Sequence, residues 1–167
     1  MKVYTLEASM PAPVAPRDAF AVFEDPYNLA RITPPWLRFR VTSKEKVTMR
    51  KGAGITYRIR WMGLPISWKT IITEYNPPLQ FVDEQAAGPY RLWRHRHTFV
   101  PDGSGTRVDD RVDYALPFGL LGRLVHRLVV RRQLEEIFAY RRQALATLFA
   151  ERTRGLNSGV STEPGAR

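Results

Sequence analysis

Residues 88–117, GPYRLWRHRHTFVPDGSGTRVDDRVDYALP, admit few arrangements other than an antiparallel hairpin. Trp93, His95, His97 and Phe99 alternate with Arg94, Arg96, Thr98 and Val100, so the period of a strand puts the first set on one face and the second on the other. Asp102, Gly103, Ser104 and Gly105 supply the turn. The return run alternates Val108, Asp110, Val112 and Tyr114 with Arg107, Asp109, Arg111 and Asp113. Matching the two less charged faces across a four-residue loop sets Phe99 opposite Val108, His97 opposite Asp110 and Trp93 opposite Tyr114. A slip of two residues pairs Asp110 with His95 instead. The resulting face is aromatic at its ends and carries two imidazoles and a carboxylate between them. Such a face suits a ligand cavity with a few polar anchors, or a buried structural network.

The rest of the chain supplies partners for this hairpin. A modest alternation near residues 3–8 predicts an opening strand, broken by Pro11, Pro13 and Pro16. Asp18, Ala19, Phe20 and Phe23 predict a short helix, and Asp25-Pro26 caps a second one that runs to Pro34-Pro35. From Trp36 the period becomes two. Leu37, Phe39 and Val41, then Ile55, Tyr57, Ile59 and Trp61, then Ile66, Trp68, Thr70 and Ile72, and then residues 79–87 read as successive strands, with Gly63-Leu64-Pro65 and Asn76-Pro77-Pro78 as turns. Short turns between neighbours predict an antiparallel meander. Residues 123–152 contain neither Gly nor Pro and predict one long helix with a buried stripe of Leu124, Leu128, Leu134, Phe138, Leu145 and Phe149. From Thr153 onward large apolar residues almost vanish, which predicts a domain over residues 1–152 and a disordered tail over 153–167.

Composition narrows the chemistry. The 167 residues suffice for one domain with a real core. The absence of cysteine removes disulfides, thiolate metal sites and a cysteine nucleophile. No apolar run is long enough to span a bilayer and the first ten residues lack the pattern of a secretory signal, so a cytoplasmic location is expected. The formal net charge of +10 raises the question of a phosphate-binding surface, with Arg123, Arg127, Arg131, Arg132, Arg141 and Arg142 as its densest group. Glu135 and Glu136 interrupt that group, and a solvated helix face explains it as well. No specific nucleic-acid partner is expected, and docking on nucleic acid or an anionic membrane stands as a separate reading that salt dependence would decide.

A strand, two small helices, a six-stranded meander and a long C-terminal helix make up the order of the helix-grip fold, an α+β fold in which a curved antiparallel sheet wraps a helix. The Gly88-Pro89-Tyr90 turn, Trp93-x-His95-x-His97-x-Phe99, Gly105-Thr106, Asp110-x-Val112-x-Tyr114, Leu116-Pro117-Phe118-Gly119 and Ile137-Phe138-Ala139-Tyr140-Arg141 resemble the stand-alone ligand-binding proteins of the SRPBCC (START/Bet v 1-like) superfamily. Within it, the resemblance is to the polyketide cyclase/dehydrase-like or cell-division-inhibitor-like group, over roughly residues 1–150. It implies a cavity between sheet and helix for lipids, sterols, polyketides or other apolar molecules. It implies no universal catalytic set, since only some members are enzymes. The Rieske oxygenases of the superfamily bind iron through a carboxylate and two histidines, but their motifs are absent here.

His95-x-His97 can hold zinc if a third ligand such as Asp110 arrives from another strand, but with only three histidines in the chain, a carboxylate that orients an imidazole explains the same pattern. No metal and no cofactor are expected. The candidate ligand-binding residues are Tyr57, Trp61, Trp68, Trp93, His95, His97, Phe99, Asp110 and Tyr114, with a small hydrophobic ligand as partner. His95, His97 and Asp110 are also the candidates for acid-base chemistry of a cyclase or dehydratase, with Tyr114 or Glu84 as a second polar group. There is no nucleophile elbow, phosphate loop or dinucleotide fingerprint.

Overall fold

The computed structural model describes residues 1–43 and 46–158. Seven strands form one antiparallel sheet: β1 (Tyr4–Ala12), β2 (Arg40–Val41), β3 (Gly54–Trp61), β4 (Leu64–Asn76), β5 (Gln80–Ala87), β6 (Leu92–Asp102) and β7 (Gly105–Ala115), in the spatial order β1-β7-β6-β5-β4-β3-β2. Helix α1 (Pro16–Glu24) and two 3₁₀ turns (Pro26–Ala30 and Pro35–Leu37) carry the chain from one edge of the sheet to the other. The Asp25 carboxylate caps the first of these turns by accepting from the Tyr27 backbone N–H. The C-terminal helix α2 runs through Gly119–Val125, a π-helical turn over His126–Val130, and Arg131–Ser158. This is the helix-grip arrangement.

The hairpin register is the expected one, with Phe99 paired to Val108, His97 to Asp110 and Trp93 to Tyr114. Its turn is tighter than expected. Asp102 pairs with Gly105, which leaves Gly103 and Ser104 as a two-residue loop, and Gly103 takes the left-handed conformation (φ 57°) that this turn demands. At the β3–β4 turn the left-handed pair is Met62 and Gly63, so Leu64 and Pro65 open β4 rather than turn the chain.

Three other expectations are corrected. β1 continues through Pro11 to Ala12, because β1 is an edge strand where a missing N–H is tolerated. The stretch from Trp36 is a 3₁₀ turn ended by Arg38 at φ 45°, and only Arg40 and Val41 join the sheet. The proline pair before it presets the turn. The helix begins at Gly119, and its buried face in this part runs Gly122, His126, Val130, Leu134 and Phe138, every fourth residue, which the π turn accommodates. Leu124 and Leu128 are therefore on the solvent side, 53% and 66% exposed. Of the tail expected from Thr153, residues 153–158 continue the helix and residues 159–167 lie outside the described ones.

The core has two parts. Phe20 and Phe23 of α1 pack on Phe81 and Phe99 of the sheet and on Leu145 and Phe149 of α2. Nearer the start of α2, Val130, Leu134 and Phe138 pack on Val112 and Tyr114. A cavity opens beside this second cluster.

A ligand cavity with a buried histidine and aspartate cluster

The cavity has a volume of about 520 Å³ and lies between the concave sheet face and α2. That is the size of pocket that encloses most of a drug-sized molecule. Tyr57 and Trp61 of β3, Trp68 of β4 and Trp93, His95 and His97 of β6 line the sheet side. Alternation on each strand brings these side chains to one face. Trp68 organises the aromatic wall, with its ring stacked 5.8 Å from Tyr57 and edge-on 5.3 Å from Trp93. Its indole N–H is buried and has no hydrogen-bond partner among the described residues. The helix side runs from Leu121 to Arg141, about 30 Å of helix axis. The Leu121 end is exposed and the Arg141 end is buried among Phe23 and Phe138.

Three of the expected ligand-binding residues stand off the wall. Phe99 is in the core, against Phe20, Phe23 and Phe81. The Tyr114 hydroxyl lies 2.9 Å from Nε2 of His126, whose ring stacks on Tyr4. Asp110 sits behind the histidines, on the far side from the cavity.

His95 and His97 project from the same face of β6 with ring centroids 3.8 Å apart. Neighbouring strands put a carboxylate on each side of them, Asp83 of β5 and Asp110 of β7. Oδ1 of Asp110 lies 3.1 Å from Nε2 of His95 and 2.6 Å from Nδ1 of His97, the second contact being poorly aligned for a hydrogen bond. Oδ2 of Asp83 lies 3.1 Å from Nε2 of His97 and 3.8 Å from Nδ1 of His95. Asp110 thus meets both of the imidazoles that the two sequence registers would have made its alternative partners. Arg141 of α2 completes the group, with Nε 3.8 Å from Oδ2 of Asp110 and its guanidinium over the rings of Phe23 and Phe138.

Burial works against every charge here, and neighbours decide which charges survive. Burial lowers the affinity of His95 for a proton, and the adjacent His97 lowers it further, so His95 stays neutral. For His97 burial acts in the same direction, but the Asp110 and Asp83 carboxylates outweigh it and hold its proton more firmly than in a free imidazole. Burial raises both carboxylates, yet both end below the usual range. Asp110 is held well down by Arg141 and His97, and Asp83 by its hydrogen bond to His97 and by His95. With His97 protonated, two carboxylates face one imidazolium and one guanidinium, and the charges balance.

Two members of the cluster were not singled out from the sequence. Asp83 shares an alternating face with Phe81, and that parity was the available signal. Arg141 stood among helix arginines with no local mark of burial. Glu84, suggested as a second polar group, faces outward and bonds Arg94 and Thr73. For a metal, Asp83, His95 and His97 offer ligand atoms within 4.8 Å of one another, with Asp110 outside the set. Those atoms already face one another in an ion-pair network that Asp110 and Arg141 complete.

The family model for polyketide cyclase / dehydrase and lipid transport matches residues 10–138. No curated protein matches the chain in sequence. Among solved structures, the Zhui aromatase/cyclase from a Streptomyces species superposes with a TM-score of 0.73 at 13% identity, covering 91% of this chain and 96% of that one. TTHA0849 from Thermus thermophilus gives 0.68 at 19% identity over 89% and 99% of the two chains. A norcoclaurine synthase variant from Thalictrum flavum, in complex with a transition-state analogue, gives 0.66 at 13% identity over 91% and 97%. With the model spanning most of the chain and the fold shared with these structures, the chain belongs to the polyketide cyclase/dehydrase and lipid transport family of the SRPBCC superfamily.

Proposed function

We propose that this protein binds a small hydrophobic or amphipathic molecule, of lipid, sterol or polyketide-like character, with its apolar body along the aromatic wall and a polar group at the cluster of Asp83, His95, His97 and Arg141. The observation that supports this best is the pairing of a cavity of about 520 Å³, walled mainly by aromatic and aliphatic side chains, with a polar group confined to a few buried residues. The reading is of a carrier or receptor, and no described helix is long and apolar enough to cross a membrane.

Native mass spectrometry of gently purified protein, followed by denaturation and analysis of released molecules, tests this. A co-purifying apolar molecule in a stoichiometric complex supports the reading and names the ligand class. An empty protein with no thermal shift across a lipid and aromatic panel would overturn it.

A second reading, a cyclase or dehydratase, draws on one feature. His95 is neutral, buried and on the cavity wall, with Asp110 accepting from its Nε2–H, which leaves Nδ1, 3.8 Å from Oδ2 of Asp83, as the proton acceptor this reading requires.

A further inference from the structure

We propose that the first two turns of α2 dock on an anionic membrane surface, so that the cavity opens onto the bilayer. Phe118, Leu120, Leu121, Leu124 and Leu128 are 80%, 79%, 61%, 53% and 66% exposed, five large apolar side chains within eleven residues. Scattered exposed leucines are ordinary, but a contiguous group marks an interaction surface. Leu120, Leu124 and Leu128 recur at every fourth residue and form one ridge. Arg123, Arg127 and Arg131 repeat the same interval three residues further on and form the adjacent ridge, with Arg132 beside it.

The partner's charge follows from what is missing between these ridges. No Asp or Glu occurs from Tyr114 to Leu134. Arg131 and Arg132 have Glu135 and Glu136 as partners, whereas Arg123 and Arg127 form no ion pair among the described residues. An apolar ridge flanked by unpaired arginines has the composition of an interfacial helix that lies on anionic lipid. The backbone contributes as well. Phe118 adopts the left-handed conformation (φ 66°), uncommon for a bulky residue, and this directs its ring outward just ahead of the helix. Phe118 and Leu121, exposed beside the ridge, also line the cavity. A bilayer seated on the ridge therefore covers the mouth, and an apolar ligand crosses without passing through water. This rests on the cavity reading for its purpose, but the docking itself does not depend on what the cavity holds.

Flotation with two sets of vesicles, pure phosphatidylcholine and phosphatidylcholine with about one third phosphatidylserine, tests the proposal, with the intact protein at low and physiological salt. The protein should float with the anionic vesicles and not with the neutral ones, and binding should weaken as salt rises. Neutralising two arginines in Arg123→Gln/Arg127→Gln should lower the partition by roughly 30-fold. Leu120→Ser/Leu124→Ser should remove binding while the circular dichroism spectrum stays native. Neither pair lines the cavity, so native mass spectrometry should find the same bound molecule in both variants. Failure of the cavity reading would show there and nowhere else. Absence of flotation with anionic vesicles, unchanged flotation of both variants, or a dimer whose interface holds the leucine ridge would each overturn the proposal.

Discussion

Oδ2 of Asp83 lies 3.1 Å from Nε2 of His97, on the opposite edge of the ring from Asp110, so the imidazole is clamped between two carboxylates. The Nε2 edge is placed to donate to Asp83 and the Nδ1 edge faces Asp110 in a close ion-pair contact, so negative charge on both sides favours an imidazolium. His97 is 3% exposed, so water screens these contacts little.

The clamp predicts a stability profile in pH. The folded state raises the His97 pKa, so its contribution is fully present below the unfolded value of about 6.5 and is lost as pH rises through the folded one. His95 and His126 are lowered, so their contributions are present above about 6.5 and decline as pH falls below it. The two aspartates are lowered and add a further loss when pH falls through their folded values, below about 3.9. Urea unfolding of the wild type should show stability falling on both sides of a maximum near neutrality. In His97→Gln the decline above about pH 6.5 should flatten, while the acid limb persists. An unchanged alkaline limb in the variant would show that His97 does not carry it.

Asp110 holds the cluster together, because it contacts both imidazoles and lies nearest Arg141. Asp110→Ala removes the partner of two buried cations and should destabilise the protein by about 3–5 kcal/mol. Asp110→Asn keeps the shape and one acceptor, and should lose less. Denaturant midpoints with unchanged m-values would measure both. A cost below about 1 kcal/mol for the alanine variant would mean that water enters and replaces the carboxylate.

The sequence made the hairpin legible because it carries two independent constraints, the parity of a strand and a mismatch of charge between its faces. Those constraints put His95, His97 and Asp110 on one face but also allow the slip of two residues that pairs Asp110 with His95. Centring the strands on the turn selects His97, and shortening the loop from four residues to two keeps that register because it extends both strands together. Asp83 was less visible because β5 reads FVDEQ, with Asp and Glu adjacent and nothing local to say which carboxylate turns inward. The answer comes from pairing with His95 across the sheet. Leu124 and Leu128 were misplaced on the buried stripe for a similar reason. A regular helical period describes α2 only beyond the π turn, and a π turn leaves no mark in the order of residues. Strand parity marked Tyr57, Trp61, Trp68 and Trp93 as candidates for the wall, but which tryptophans turn inward depends on register, and the structure places all four on the cavity.

The contrast between the two histidines predicts which one a catalytic reading requires. His97 already holds a proton between two carboxylates and is poorly suited to accept another, whereas neutral His95 can accept one at Nδ1. Gln in place of His95 keeps a hydrogen-bonding group and removes titration. A binding protein should hold its co-purified ligand within a few-fold of wild-type affinity after His95→Gln. An acid-base enzyme should instead lose about 10²- to 10⁴-fold in kcat with little change in KM. Affinity by isothermal titration, together with product analysis on the same ligand, separates the two outcomes. An unaltered turnover would remove His95 from the chemistry.

The hydrogen bond from Trp61 Nε1 to Gln133 Oε1 joins the tip of β3 to α2, and both side chains line the cavity. Apart from packing, this is a direct polar tie between the far end of the sheet and the helix across the ligand space. Trp61 is half-buried, so in Gln133→Ala its indole N–H can turn to water and the loss should be small, about 0.5–1.5 kcal/mol of stability. The kinetic effect should be larger in proportion than the thermodynamic one if the tie must open for a ligand to leave. Ligand release, followed by stopped-flow dilution of the loaded protein, should then quicken by roughly 2- to 10-fold while association changes little. Tryptophan emission should shift to longer wavelength as Trp61 gains water. A red shift without faster release would show that the bond orders the indole but does not control passage, and release would then be set by the exposed end of the cavity at Phe118 and Leu121.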